Sequence, residues 1–344
     1  MKPKRNFASD NNPGVHPDVM RAITAANSGH ALAYGDDPCT AAAVEKFKET
    51  FGPGIEVLFV TTGTAANVVG LSVITESFNS IICSHEAHIF VDECNAVENF
   101  IGCKLVPLHT PDAKLTVDII RDNFPSTSHV HQPRPGVISI TQPTELGTVY
   151  EPAEIRALSD FAHRKGMLLH MDGARLANAA VSLGKTLRGI TRDCGVDVLS
   201  FGGTKNGAML AESVVFFNAR LARNASFKRK QATQLLSKMR FTAVQFGALL
   251  SNGLWEKNAA NANAMAKLLA GEISKIPLLE ITQKVEANAV FAKIPRRFIP
   301  GIQESFYFYE WGDRSGIARF MCSWDTTEKD VRDFAKAMRV RLRP

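Results

Sequence analysis

Two short apolar runs, each ending in a residue able to do chemistry, constrain this chain more than any other feature. The first, 167–171, reads Met-Leu-Leu-His-Met and runs into Asp172. The second, 196–201, reads Val-Asp-Val-Leu-Ser-Phe and runs into Gly202-Gly203-Thr204-Lys205. Both are brief and bounded, and they predict buried parallel strands joined by a helix from Gly173 to about Gly184. An acid at the carboxyl edge of one strand and a lysine just past the next then share a crevice, the place where open α/β sheets bind ligands. Helical spacing would let Arg175, three residues beyond Asp172, face the same crevice.

That pair suits a definite chemistry. A lysine amine forms a Schiff base with an aldehyde cofactor, and a carboxylate facing a pyridine nitrogen keeps that nitrogen protonated. Thr204 offers a hydroxyl for a phosphate, and the paired glycines let the backbone approach a ligand. Taken singly, an aspartate at a strand end is more often a helix cap and a lysine more often solvated. The joint pattern carries the reading.

The same pattern repeats along the chain. Strands are predicted at 56–61, 80–84, 104–108, 136–141 and 211–217, with helices at 17–26, 40–51, 116–122 and 152–164. With the two central runs this makes a seven-stranded, mostly parallel α/β sheet. The turn Thr62-Gly63-Thr64-Ala65-Ala66-Asn67 opens a helix, where free N–H groups and the dipole end favour a phosphate, so Gly63 and Thr64 join Thr204 in a candidate phosphate cup. Residues 220–253 read as mostly helical. From 254 the pattern changes to a helix at 255–276, strands at 278–282, 289–294 and 316–324, and a final helix at 327–341, which marks a small α+β domain. The expected division is an arm at 1–16, a large domain at 17–253 and a small one at 254–344. Within the small domain Arg319 would be costly among apolar strand neighbours unless paired, and a bidentate clamp on a substrate carboxylate supplies the pairing.

Composition excludes several classes. Over 344 residues the chain is 45% hydrophobic and 22% charged with a net charge of +6, and its basic residues are scattered, so no nucleic-acid signature emerges. No apolar run reaches the length of a membrane span, and the basic N-terminus lacks the apolar stretch of a signal peptide. The six cysteines have no Cys-x-x-Cys spacing and read as free thiols of a cytoplasmic protein. His129 and His131 lie in a polar loop over 126–135, and nothing else in the sequence supports a metal there.

His170-Met171-Asp172-Gly173-Ala174-Arg175 followed by Ser200-Phe201-Gly202-Gly203-Thr204-Lys205 resembles the pyridoxal-phosphate enzymes of type I, aspartate-aminotransferase fold, and among them the L-threonine aldolases of low specificity, phenylserine aldolases included. The segments at 7–11, 34–38, 63–67, 88–90 and 318–326 resemble the family in the same order, so the likeness spans nearly the whole chain. The resemblance implies pyridoxal 5'-phosphate on Lys205, its ring nitrogen at Asp172, and retro-aldol cleavage of an L-β-hydroxy-α-amino acid to glycine and an aldehyde. It implies that His88 stacks on the cofactor ring, that Arg175 meets the cofactor's phenolic oxygen or the substrate, and that Ser9 and Arg319 hold the substrate carboxylate. A homotetramer with sites at dimer interfaces is implied, with Arg240 and Lys230 reaching a neighbouring subunit. This chain has Gln142-Pro143-Thr144-Glu145 where most of the family has Glu-Asn-Thr-His, so Glu145 takes the place of the histidine that approaches the β-hydroxyl. A buried carboxylate there can serve as the base or orient a water. A β-eliminating lyase or aminotransferase on the same fold, and a non-catalytic binding relative, are the alternatives.

Overall fold

The computed structural model describes residues 5–124, 129–312 and 315–342; the loop read over 126–135 lies partly outside them. The larger sheet holds β1 (Glu56–Val60), β2 (Asn79–Ser84), β3 (Lys104–Leu108), β4 (Arg134–Thr141), β5 (Leu168–Gly173), β6 (Val198–Gly202) and β7 (Glu212–Phe216). Its order is β1-β7-β6-β5-β4-β2-β3. The pairs β6/β5, β5/β4, β4/β2 and β2/β3 are parallel, while β7 runs antiparallel to both its neighbours. Every residue of β6 and β7 is buried, as strands covered on both faces require. The helices Pro38–Phe51, Gly63–Ile74, Pro152–Arg164 and Leu176–Leu183 cover the faces.

A second sheet holds β8 (Glu280–Ile281), β9 (Ala289–Lys293), β10 (Tyr309–Trp311) and β11 (Ile317–Met321), all antiparallel in the order β10-β11-β9-β8. Leu254–Ile273 and Glu328–Arg341 pack on it, and the latter starts with a reciprocal capping box between Thr327 and Asp330. The described part of the N-terminal arm, residues 5–16, is irregular, as its turn-forming residues predict, but it is docked. Phe7 donates its N–H to Tyr307 O at 2.8 Å, accepts from Met321 N at 2.8 Å, and stacks on Phe334 with centroids 4.4 Å apart. Phe7 thus joins the small sheet's core, and the residues just after it enter the seam between the sheets.

Three local expectations change. The helix after Asp172 starts at Leu176, because β5 runs on through Gly173. A Cβ at Gly173 would sit 2.8 Å from Leu199 Cδ1 and 3.0 Å from Ser200 O, so only glycine lets β5 lie that close to β6. Arg175 is therefore the cap of that helix and not a residue one turn inside it. The stretch 220–253 is broken into helices Ala225–Gln231 and Arg240–Leu249. Between them Gln234 Oε1 accepts from Thr61 N at 3.0 Å and Thr61 Oγ1 at 2.9 Å, which pins the linker to the end of β1. The third concerns the paired glycines. A Cβ on Gly202 would meet Ala174 O at 2.8 Å, and one on Gly203 would meet Ala211 O at 2.9 Å. In the structure they admit neighbouring backbone.

Candidate active site

The carboxyl edge of the large sheet forms a recess. Asp172 is the penultimate residue of β5, and the turn after β6 presents Lys205. Gly63 begins the helix after β1, and His88 begins the short helix after β2. Glu145 comes from the loop after β4, and Arg175 from the cap beyond β5. All six line one cavity. Parallel strands deliver their ends to one edge, which is how residues 142 positions apart, Gly63 and Lys205, come together.

Asp172 sits at the root of a hydrogen-bond chain. Asn67 Nδ2 donates to Asp172 Oδ2 and to Glu93 Oε1, each at 2.8 Å. Glu93 Oε1 also meets His88 Nδ1 at 2.8 Å. Burial opposes ionisation of Asp172, but the His88 charge, the Asn67 amide and the Ala174 N–H outweigh it and hold the carboxyl below its usual value. The hydrogen bond to Glu93 raises the His88 imidazole against burial. Burial, and then the charge of Arg175, lowers the Lys205 amine. Among the described residues Lys205 makes no ion pair.

Glu145 is held differently. Its Oε1 accepts from the His88 backbone N–H at 2.7 Å and from Thr141 Oγ1 at 2.8 Å, and no cation is bonded to it among the described residues. Burial pushes it up to about 7, against those two donors. A carboxyl in that range can take and return a proton near neutrality.

Two arginines approach from opposite sides of the seam. Arg175 is bidentate on Asp10, with Nε–Oδ2 at 2.7 Å and Nη2–Oδ1 at 2.9 Å, and Asn288 Nδ2 adds 3.0 Å to Oδ2. Burial resists the charge on Asp10, yet Arg175 and its partners bring the carboxyl down to about 2. Arg319, on β11, has no carboxylate partner among the described residues. Its buried Nε lacks an acceptor, and its guanidinium carbon lies 4.5 Å from the centroid of Trp311. Burial, then the charge of Arg175, lowers it to about 10.

The structure does not bring every sequence candidate into the recess. Ser9 lines a separate cavity with Arg5 and Ser323, and its Oγ accepts from Asn11 N at 3.1 Å; the neighbouring Asp10 is the arm residue that reaches Arg175. Thr204 Oγ1 accepts from Ala211 N at 3.3 Å, and its N–H donates to Glu212 Oε1 at 3.3 Å. Arg240 lines a surface groove with Gly29–Ala33, and Lys230 lies 5.9 Å from the Tyr34 ring centroid. The sequence reading missed Asp10, Asn67, Glu93, Asn288 and the buried Glu212. Asp10 and Asn67 stand inside segments already singled out, at 7–11 and 63–67, so a search for polar partners of the central pair would have reached them.

Fold and recess together define a class: an α/β protein that keeps a lysine amine and a partnered carboxylate side by side at the carboxyl edge of a mostly parallel sheet. The family model for beta-eliminating lyases matches residues 6–296, and the chain belongs to that family. It is 44% identical over 336 residues to a low specificity L-threonine aldolase of Pseudomonas sp. (strain NCIMB 10558), covering 97% of each chain. It is 43% identical to one of Pseudomonas aeruginosa, covering 98% of this chain and 97% of that one. A solved structure of Leishmania major threonine aldolase superposes with a TM-score of 0.93 at 28% identity, covering 98% of this chain and 100% of the other.

Proposed function

We propose that the protein cleaves L-β-hydroxy-α-amino acids such as threonine, allo-threonine or phenylserine to glycine and an aldehyde, using pyridoxal 5'-phosphate. The observation that carries this reading is the juxtaposition of Lys205, Asp172 and Glu145 in one recess, in a chain so close to low specificity L-threonine aldolases.

The recess fits the cofactor. Lys205 lines the recess, and its amine makes no ion pair among the described residues. The N–H groups of Gly63 and Thr64, the first two of the helix, have no acceptor among the described residues; the Thr62 side chain caps Ala65 and its carbonyl accepts from Ala66. A Cβ on Gly63 would meet nothing within 4 Å, which leaves room for a phosphate at that helix end. Lys205 would hold the aldehyde carbon, Asp172 the ring nitrogen, Gly63 and Thr64 the phosphate with Thr204 beside them, and His88 the ring face. When bound, the cofactor supplies an electron sink for the pair released as the Cα–Cβ bond breaks.

The chain's own groups do the rest. Glu145 takes the proton of the β-hydroxyl and returns one after cleavage. Asn67 and Glu93 fix Asp172 and His88 with their charges opposed, so neither must reorganise during turnover. Arg319 takes the substrate carboxylate through its unmet donors, with Arg175, held by Asp10 of the arm, on the substrate's flank, and so fixes which bond lies across the ring. We assign 17–253 and 254–344 to two domains, with the arm of 1–16 bridging them.

The proposal extends to assembly. Leu32, Tyr34, Met209 and Leu210 are exposed apolar side chains, and Arg240 Nε is buried without an acceptor beside the groove of 29–33. These features suit subunit contacts of a homotetramer in which Arg240 and Lys230 serve a neighbouring site. Six free cysteines suit the reducing cytoplasm.

The deciding experiment incubates purified protein and pyridoxal phosphate with L-threonine and assays acetaldehyde and glycine. Both products, lost in Lys205→Ala, are the expected result. 2-Oxobutyrate with ammonia, or a 3-hydroxy-2-oxo acid, in their place would move the reading to a lyase or aminotransferase, and no product with no visible cofactor band would end it.

A further inference from the structure

We propose that Trp311 is the positioning residue for Arg319, fixing the guanidinium plane while leaving its N–H edges free for a carboxylate. The inference rests on the reading that Arg319 receives the substrate carboxylate.

Register places the two side chains on one face. Arg319 is opposite Tyr309 of β10 and Phe291 of β9, and Trp311 is opposite Ile317, two residues along β11. Successive side chains alternate between faces, so Trp311 and Arg319 are diagonal neighbours within reach of long side chains. The contact follows, at 4.5 Å from the guanidinium carbon to the ring centroid. Trp311 is itself fixed, standing edge-on to Phe291 with centroids 5.5 Å apart at 83°.

The kind of partner matters. Asp10 engages Arg175 through two of its N–H groups, whereas the face of an indole attracts a cation and uses none of them. Arg319 is thus held without its donors being spent. The same apolar patch reaches the base. Leu146 packs with Phe291, Ala289 and Met321, and a Cβ on Gly147 would lie 3.4 Å from Ala289 Cβ. The loop that carries Glu145 and the strand that carries Arg319 therefore share one apolar seam, which sets the span between carboxylate clamp and base.

The test uses the cofactor-loaded protein and compares Trp311→Leu, Trp311→Phe and Arg319→Leu, with glycine as a carboxylate probe and methylamine as an amine without one. Trp311→Leu should raise the KM for L-threonine and the Kd for glycine roughly threefold to thirtyfold while leaving kcat nearly unchanged, the range for a desolvated cation–π contact. Trp311→Phe, which keeps a ring face, should restore most of the affinity, and methylamine binding should not change. In an Arg319→Leu background the Trp311 substitution should add nothing. The inference is overturned if Trp311→Leu binds glycine as tightly as the parent, weakens methylamine equally, or has its full effect without Arg319. If Trp311→Leu does not fold, Trp311→Met carries the same comparison. Glycine affinity unchanged by Arg319→Leu would instead sink the carboxylate assignment on which the inference rests.

Discussion

Arg175 and Arg319 sit close enough for their charges to act on each other, yet they are built in opposite ways. Arg175 is matched: Asp10 meets it twice, and the pair raises the guanidinium despite burial. Arg319 is unmatched among the described residues, and burial lowers it to about 10. The carboxyls divide likewise. Asp172 is surrounded by opposite charge and donors, while Glu145 has donors but no bonded cation among the described residues, and stands at about 7. Matched charges hold a scaffold in one state. Unmatched ones are open to a ligand or to a proton, so the mismatch marks the groups to which we assign work on the substrate.

The contrast can be broken at several points. The largest expected effect is on Glu145→Gln, which should lower kcat by about 10²–10⁴, the usual worth of a general base. In the parent, protonation as pH falls below about 7 should remove the base, so cleavage should decline on the acid side and that limb should vanish in the variant. A kcat–pH profile checks it; an unchanged limb would remove Glu145 from the role. Next, Arg175→Leu should cost about 3–5 kcal/mol of stability, since it strands the buried Asp10 carboxylate. Urea unfolding measures this, and Asp10→Leu added to it should recover much of the loss.

Arg319→Leu should behave the other way. It removes a buried cation that has no carboxylate partner among the described residues, so stability should change by no more than the roughly 2 kcal/mol of its contact with Trp311, while kcat/KM should fall by roughly 30- to 1,000-fold through the lost carboxylate contact. A melting temperature that drops as far as for Arg175→Leu would erase the distinction between the two arginines. The smallest effect concerns acid stability. Asp10 titrates at about 2 in the fold against an ordinary 3.8, so it contributes stability above its unfolded value that is lost as pH falls through about 2. The contribution is about 2 kcal/mol. Unfolding free energies between pH 2 and 5 should show that slope in the parent and a weaker one in Asp10→Asn.

Much of this was legible in the chain. Strand β3 and the helices Pro17–Ala26 and Pro152–Arg164 fall where their patterns put them, because apolar runs and caps are local signals. The pairing of Asp172 with Lys205 was also legible, since a strand end and the turn after the next parallel strand must lie at one edge. What local pattern does not contain is distance across the chain. Asn67 bridges Asp172 and Glu93, Asp10 reaches Arg175 across 165 positions, and Glu212 is buried at the edge of the turn that carries Lys205.

The sequence by itself determined a seven-stranded α/β sheet with a lysine and an acid at its carboxyl edge, and an arginine in a second, smaller sheet. It did so because periodicity decides which residues are buried and parallel crossovers decide which ends meet. Only the tertiary structure decided which charges are matched. Ionisation depends on burial and on neighbours within a few ångströms, and those neighbours come from the arm, the helix after β1 and the seam between the two sheets.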